Sequence, residues 1–213
     1  MIHTIAFDVG ETLVRDDRYW AAWADWLDTP RHTVSALVGA VVARGQDNAE
    51  ALRLIRPDID VPAEYEAREQ AGRGEALTEA DLYPDVRPAL SALREAGVRV
   101  VIAGNQTARM GELLRGLDLP ADLLATSGEW GVAKPDPAFF ERLAAEAGVP
   151  VAEILYVGDH PQNDTVPAAR AGLRTAHLRR GPWGFLWADE PVVVESADYR
   201  INSLMDLVGI TEG

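Results

Sequence analysis

Asp8 closes the apolar run "TIAF" near the start of the chain, and Gly10 follows two residues later. Far along the sequence, "GDHPQND" sets Asp159 and Asp164 five residues apart across a strand-to-helix turn. Carboxylates are hard oxygen donors of the kind Mg²⁺ takes, one or two at a time with water completing the shell. Lys134 is the single lysine in the chain, and every other basic residue is arginine. A bias toward arginine accounts for the others. It leaves the survivor unexplained, unless position 134 needs a compact ammonium on a flexible stem, which a planar guanidinium does not supply. Each of these residues also has a plainer reading. A lone strand-end aspartate is more often a turn or cap residue, Asp164 can cap the helix that follows it, and a lysine before proline is commonly a solvated loop residue.

The elements that must position these residues alternate between strand and helix, as in a parallel α/β sheet. "TIAF", "RVVIAG", "ADLLATS", "AEILYVGD", "RTAHL" and "YRI" read as strands. "YPDVRPALSALREAGV", "TARMGELLRGL", "AFFERLAAEAGV", "TVPAARAGL" and "SLMDLV" read as helices. Pro135 and Pro137 open the third of these helices, proline being well suited to a first turn. Residues 15–82 break the rhythm and read as all-helical, with Trp20, Trp23 and Trp26 on one face. Packing within a small helical subdomain is the reading adopted for that stripe, ahead of ligand stacking. An insert placed directly after the first strand is expected over the carboxyl ends of the strands, where open α/β sheets bind ligands. The division is therefore a core of residues 1–14 and 83–213 and a helical cap of residues 15–82.

The 213 residues suit one domain with an insertion, and no cysteine is present for disulfides or thiolate metal sites. The formal net charge of −14 argues against nucleic acid and anionic membranes as partners. A small anionic ligand remains compatible with it where a metal and positive groups converge. The absence of a signal-type block or a membrane-length apolar run makes a cytoplasmic protein the expectation. "GPWGFLW" at residues 181–187 is expected to pack on the core. Its alternative is a surface for self-association into a homo-oligomer.

"FDVGETL", "IAGNQ", "GVAKPDP" and "VGDHPQND" fall at the ends of successive strands, with the helical insert after the first. In this order they resemble the haloacid dehalogenase (HAD-like) superfamily of hydrolases, over essentially the whole chain. The resemblance implies a HAD-like Rossmannoid α/β core with a parallel sheet and a helical cap of the first type. It also implies hydrolysis of a small-molecule phosphate ester. Asp8 is then the nucleophile that forms an aspartyl-phosphate, and Lys134 is the catalytic counter-cation that also binds the phosphoryl group. A Mg²⁺ cofactor is held by Asp8, the Gly10 carbonyl, Asp159 and Asp164, the last either as a ligand or as a support behind the ligands. His160 follows the metal aspartate and is expected to be an exposed loop residue.

Two positions depart from the family pattern. The phosphatases carry a second aspartate two residues beyond the nucleophile, where it protonates the leaving alcohol and later activates water. Here the residue is Gly10, which forgoes acid–base assistance of about 10²–10⁴ in rate. Glu11 is adjacent, but it substitutes only if the turn is unusual, because consecutive residues leaving a strand point to opposite sides. The family's hydroxyl residue at the end of the second strand is replaced by Gly104. That leaves the Gly104 backbone N–H and the Asn105 side chain as phosphate donors. The dehalogenating branch lacks the paired aspartates seen here, and the phosphonate-cleaving branch needs a cap lysine that this chain lacks. Two readings stand: a phosphatase with an atypical site, or a catalytically impaired phosphate-binding or regulatory protein.

Overall fold

The computed structural model describes residues 1–211. The chain forms two compact units, one made of Met1–Arg15 together with the residues from Leu77 onward, the other of Asp16–Ala76. Arg15 and residues 77–82, placed with the helical insert on sequence grounds, belong to the first unit. Val14 bridges to Leu82 and the Arg15 N–H donates to the Asp81 carbonyl, so the returning chain is tied to the outgoing one there.

In the first unit, β1 (Thr4–Phe7), β2 (Arg99–Gly104), β3 (Leu123–Thr126), β4 (Ile154–Gly158), β5 (Arg174–Leu178) and β6 (Tyr199–Ile201) form one sheet in the order β3-β2-β1-β4-β5-β6. Every pairing is parallel, with Phe7 level with Ile102 on one side and Val157 on the other. Alternation along each strand divides its side chains between two cores. Ile5, Phe7, Val100, Ile102, Leu155 and Val157 face one layer; Ala6, Val101, Ala103, Ile154 and Tyr156 face the other. Both faces are covered, which is why these strands read as nearly continuous apolar runs.

The covering helices follow from their spacing. On α5 (Val86–Glu95), Val86, Ala89, Leu90 and Leu93 are buried at three- and four-residue intervals. Helix α8 (Pro137–Ala147) buries Phe139, Phe140, Leu143 and Ala147 on the opposite face; it starts with Pro137 under an Asp136 cap and ends at Gly148 with φ of 69°. Pro135 lies outside that helix, after a cis peptide bond from Lys134. Helices α6 (Ala108–Gly116) and α9 (Thr165–Arg170) lie where the sequence suggests, and α12 (Asp206–Thr211) starts three residues later than "SLMDLV" does. The short helices α7 (Ser127–Trp130), α10 (Gly181–Trp187) and α11 (Pro191–Ser196) are additional.

The second unit consists of α1 (Asp17–Trp26), α2 (Arg31–Val42), α3 (Glu50–Ile55) and α4 (Val61–Gln70). The α1 stripe packs inside it. Trp23 is fully buried edge-on to Tyr65, and the Trp26 indole N–H donates to Glu64 at 2.6 Å. No helix is long and apolar enough to cross a membrane among the described residues.

Candidate active site

The strand order places β1 between β2 and β4, so the carboxyl ends of three neighbouring strands deliver Asp8, Gly104 and Asp159 to one edge. Asp8 continues the β1 ladder by donating its N–H to the Val157 carbonyl at 2.9 Å. Lys134 arrives from the loop before α8, and Asn105 holds it there. The Asn105 amide accepts the Lys134 N–H and donates to the Lys134 carbonyl, both at 2.8 Å. Asn105 thus clamps the lysine's backbone, and its amide keeps a second N–H to donate.

The Lys134 ammonium donates to Asp8 Oδ1 at 2.5 Å and to Asp164 Oδ1 at 2.6 Å. It also stands 5.2 Å from the centre of the Tyr156 ring. Burial alone would discharge this lysine, but the two carboxylates hold its pKa well above the ordinary value. Burial pushes the Asp8 carboxyl up, and Asp164 adds to that while Lys134 pulls the other way; the net direction is upward. Ionised Asp8 therefore depends on the ammonium.

Asp164 is fully buried at the start of α9 but makes no side-chain cap to that helix. Its Oδ2 accepts the His160 N–H at 2.9 Å while Oδ1 faces Lys134. It thus ties the β4–α9 turn to the lysine. A β-carbon on Gly158 would lie 2.2 Å from Asp164 Oδ2, so the glycine of "GD" is a condition for that approach. Gly104 is a second such position: a β-carbon there would meet Asp8 Oδ1 at 2.7 Å.

Glu11 does adopt the unusual turn, with φ of 53°. Its carboxylate accepts the Tyr83 hydroxyl at 2.5 Å. His160 differs from the exposed residue expected. It is partly buried, with its ring 4.7 Å from Trp187 and 6.5 Å from Trp183. Burial and the nearby Lys134 charge push its pKa down to about 4, so the imidazole is neutral at physiological pH. "GPWGFLW" accordingly divides: Trp183 and Trp187 turn toward His160, while Phe185 and Leu186 are exposed.

Asp8, Asp159 and Asp164 each offer an oxygen within 4.8 Å of the others. Three carboxylates against one ammonium leave an excess of negative charge, and oxygen-only donors suit a hard divalent cation. The donor set therefore fits Mg²⁺. Tyr156 and Gly158 are the contributors that sequence reasoning missed. A tyrosine inside a buried strand carried no signal, whereas the glycine before Asp159 was visible but had no stated purpose.

The haloacid dehalogenase-like hydrolase family matches residues 2–172 of the chain. The chain belongs to this family. Among its curated relatives, a phosphoserine phosphatase of Thermus thermophilus is 32% identical over 157 residues, which cover 67% of this chain and 61% of that protein. A glyceraldehyde 3-phosphate phosphatase of Methanocaldococcus jannaschii is 32% identical over 133 residues, 61% of this chain and 56% of that one. This dehalogenase-like chain spans about half the length of the curated relatives it matches. Solved folds match it from end to end. A HAD phosphatase of Thermococcus onnurineus superposes with a TM-score of 0.64 at 20% identity, covering 100% of this chain and 99% of that one. An L-2-haloacid dehalogenase does so with a TM-score of 0.69 at 19% identity and the same coverage.

Proposed function

We propose that the chain is a Mg²⁺-dependent phosphatase of a small phosphorylated metabolite, working through an aspartyl-phosphate on Asp8. The observation that carries this reading is the 2.5 Å contact between Asp8 and Lys134 at the shared strand edge, with Asp164 on the same ammonium. A nucleophilic carboxylate needs a cation that keeps it ionised and then turns to the incoming anion, and Lys134 is placed for both tasks. Phosphatases among the relatives support the choice of phosphoryl transfer. Asp8, Asp159 and the Gly10 carbonyl would hold the metal, with Asp164 supporting it through Lys134 and the β4–α9 turn. When bound, Mg²⁺ supplies positive charge against the phosphoryl oxygens.

An Asp8 carboxylate oxygen attacks phosphorus, the bond from phosphorus to the leaving oxygen breaks, and the departing alkoxide takes its proton from water. A water oxygen then attacks phosphorus, its proton passes to solvent, and the Asp8–phosphorus bond breaks to release inorganic phosphate. Gly10 assists neither proton transfer, and a neutral His160 has no proton to give as an imidazolium. The Gly104 N–H is assigned to a phosphoryl oxygen, and residues 16–76 are assigned the substrate-selecting role of the family's cap.

Phosphate release from an aryl and an alkyl phosphate, with Mg²⁺ and with a chelator, tests the assignment against Asp8→Asn as blank. An activated aryl leaving group needs little protonation, so it is expected to turn over while the alkyl ester lags by about 10²–10⁴. Equal rates for the two esters would reject the missing acid as the limiting feature. Rates at the level of the blank would reject hydrolysis of these esters and favour a phosphate-binding protein.

A further inference from the structure

Helix α4 buries an arginine in which two of the three guanidinium nitrogens make no hydrogen bond. Arg68 is 1% exposed, and neither its Nε nor its Nη1 has an acceptor. Its guanidinium lies over the Trp23 ring, 4.2 Å from the centre. Stacking uses the face of the group, however, while its N–H bonds lie in the plane and form a fork. The Glu75 carboxylate adds a favourable field without bonding to Nε or Nη1. Burial pushes the Arg68 pKa down, the mark of a charge that the fold compensates poorly.

Apart from the Glu75 carboxylate, the polar groups around Arg68 can all donate. The buried Trp23 indole N–H lies beside the Tyr19 and Tyr65 hydroxyls but makes no hydrogen bond of good geometry. The Tyr19 and Tyr65 hydroxyls bond to each other, which leaves a second phenolic proton to give. Both tyrosines are only partly buried, and both interact with the Arg68 charge. Within Asp16–Ala76, the described buried side-chain polar atoms without partners are all donors. A group of donors around one cation is completed by a ligand that only accepts. A carboxylate or phosphate does this, and a guanidinium fork binds either in bidentate fashion.

We propose that the helical unit carries an oxyanion-binding site built from Arg68, Trp23, Tyr19 and Tyr65, none of them shared with the aspartate cluster of the first unit. The Trp stripe then has a purpose beyond packing: Trp23 is the platform that holds the guanidinium flat. The site does not depend on the phosphatase reading, since it can bind whether or not Asp8 turns over.

The test is an NMR titration of the whole ¹⁵N-labelled chain, following the Arg68 Nε–H resonance, assigned by its loss in Arg68→Lys. Acetate and inorganic phosphate are the two titrants. A saturable downfield move with either one supports the site, and the anion that causes it distinguishes a planar carboxylate from a tetrahedral ligand. No move with either anion overturns it. Thermal unfolding supplies a second readout, because binding to the folded state alone raises Tm with concentration. The acetate-dependent or phosphate-dependent rise is expected to shrink in Arg68→Met, or in Arg68→Lys should the methionine variant fail to fold. An identical rise in wild type and variant would overturn the proposal. Phosphate release read on the same samples separates failure of this site from failure of Asp8 chemistry.

Discussion

At the scale of single residues, the site turns on how little space surrounds Asp8. Its Oδ1 accepts from Lys134 and lies 2.7 Å from where a β-carbon of residue 104 would be. Gly104 therefore gives up the family's hydroxyl and in return admits this placement of the nucleophile. Restoring serine is expected to harm the protein. In Gly104→Ser the new Cβ would stand 2.7 Å from Asp8 Oδ1 and 3.2 Å from the Val9 N, and a nucleophile displaced by ~1 Å loses about 10²-fold in rate. Aryl phosphatase kinetics of Gly104→Ser and Gly104→Ala check this. Equal losses are expected, whereas a serine variant faster than wild type would show that the hydroxyl matters more than the space. Asp8, Lys134, Asp159 and Asp164 were legible in the sequence because carboxylates and a solitary lysine stand out by chemical type. The clamp role of Asn105 was not, since an amide holding a backbone and an amide holding a phosphate look alike in one dimension.

At the scale of elements, the strands and the longer helices were legible because their apolar spacing is regular. Helices α10 and α11 were not, for they are short and start at "GP" and "EP", pairs that suggest turns. They follow a loop whose Arg180 guanidinium donates to the Thr12 carbonyl at 2.9 Å and to Asp85 Oδ2 at 2.5 Å. Asp85, at the start of α5, also accepts from the Ser203 hydroxyl at 2.8 Å and the Leu204 N–H at 2.9 Å. One carboxylate thus joins α5 to the β5–α10 loop and to the turn before α12. Burial raises its pKa, but the bonds from Arg180, Ser203 and Leu204 outweigh that, and the net direction is down. A depressed pKa in the fold means stability that is present above the unfolded value of about 3.9 and is lost as pH falls through the folded one. Asp85→Asn is expected to cost about 1–3 kcal/mol at neutral pH and to flatten the acid limb of the urea midpoint against pH. An unchanged acid limb would mean that the carboxylate carries none of that dependence.

At the scale of the whole chain, a net charge of −14 coexists with a buried cation in each unit, Lys134 in the first and Arg68 in the second. The first unit surrounds Lys134 with carboxylates; the second surrounds Arg68 with donors. Composition reports only the sum, so the first site was visible through its motifs and the second was not. Arg68 is one arginine among many until the fold buries it. The family match covers both units, running from residue 2 to residue 172, and the account rests on a covalent role for Asp8. The most direct measurement is therefore acid-quenched peptide mass analysis after brief incubation with Mg²⁺ and an activated aryl phosphate. Gly10 provides no base for water attack, so a phosphoryl group is expected to accumulate on the peptide containing Asp8 and to be absent in Asp8→Asn. Phosphate release with that peptide unmodified at every quench time, or with the phosphoryl group on another residue, would contradict the account.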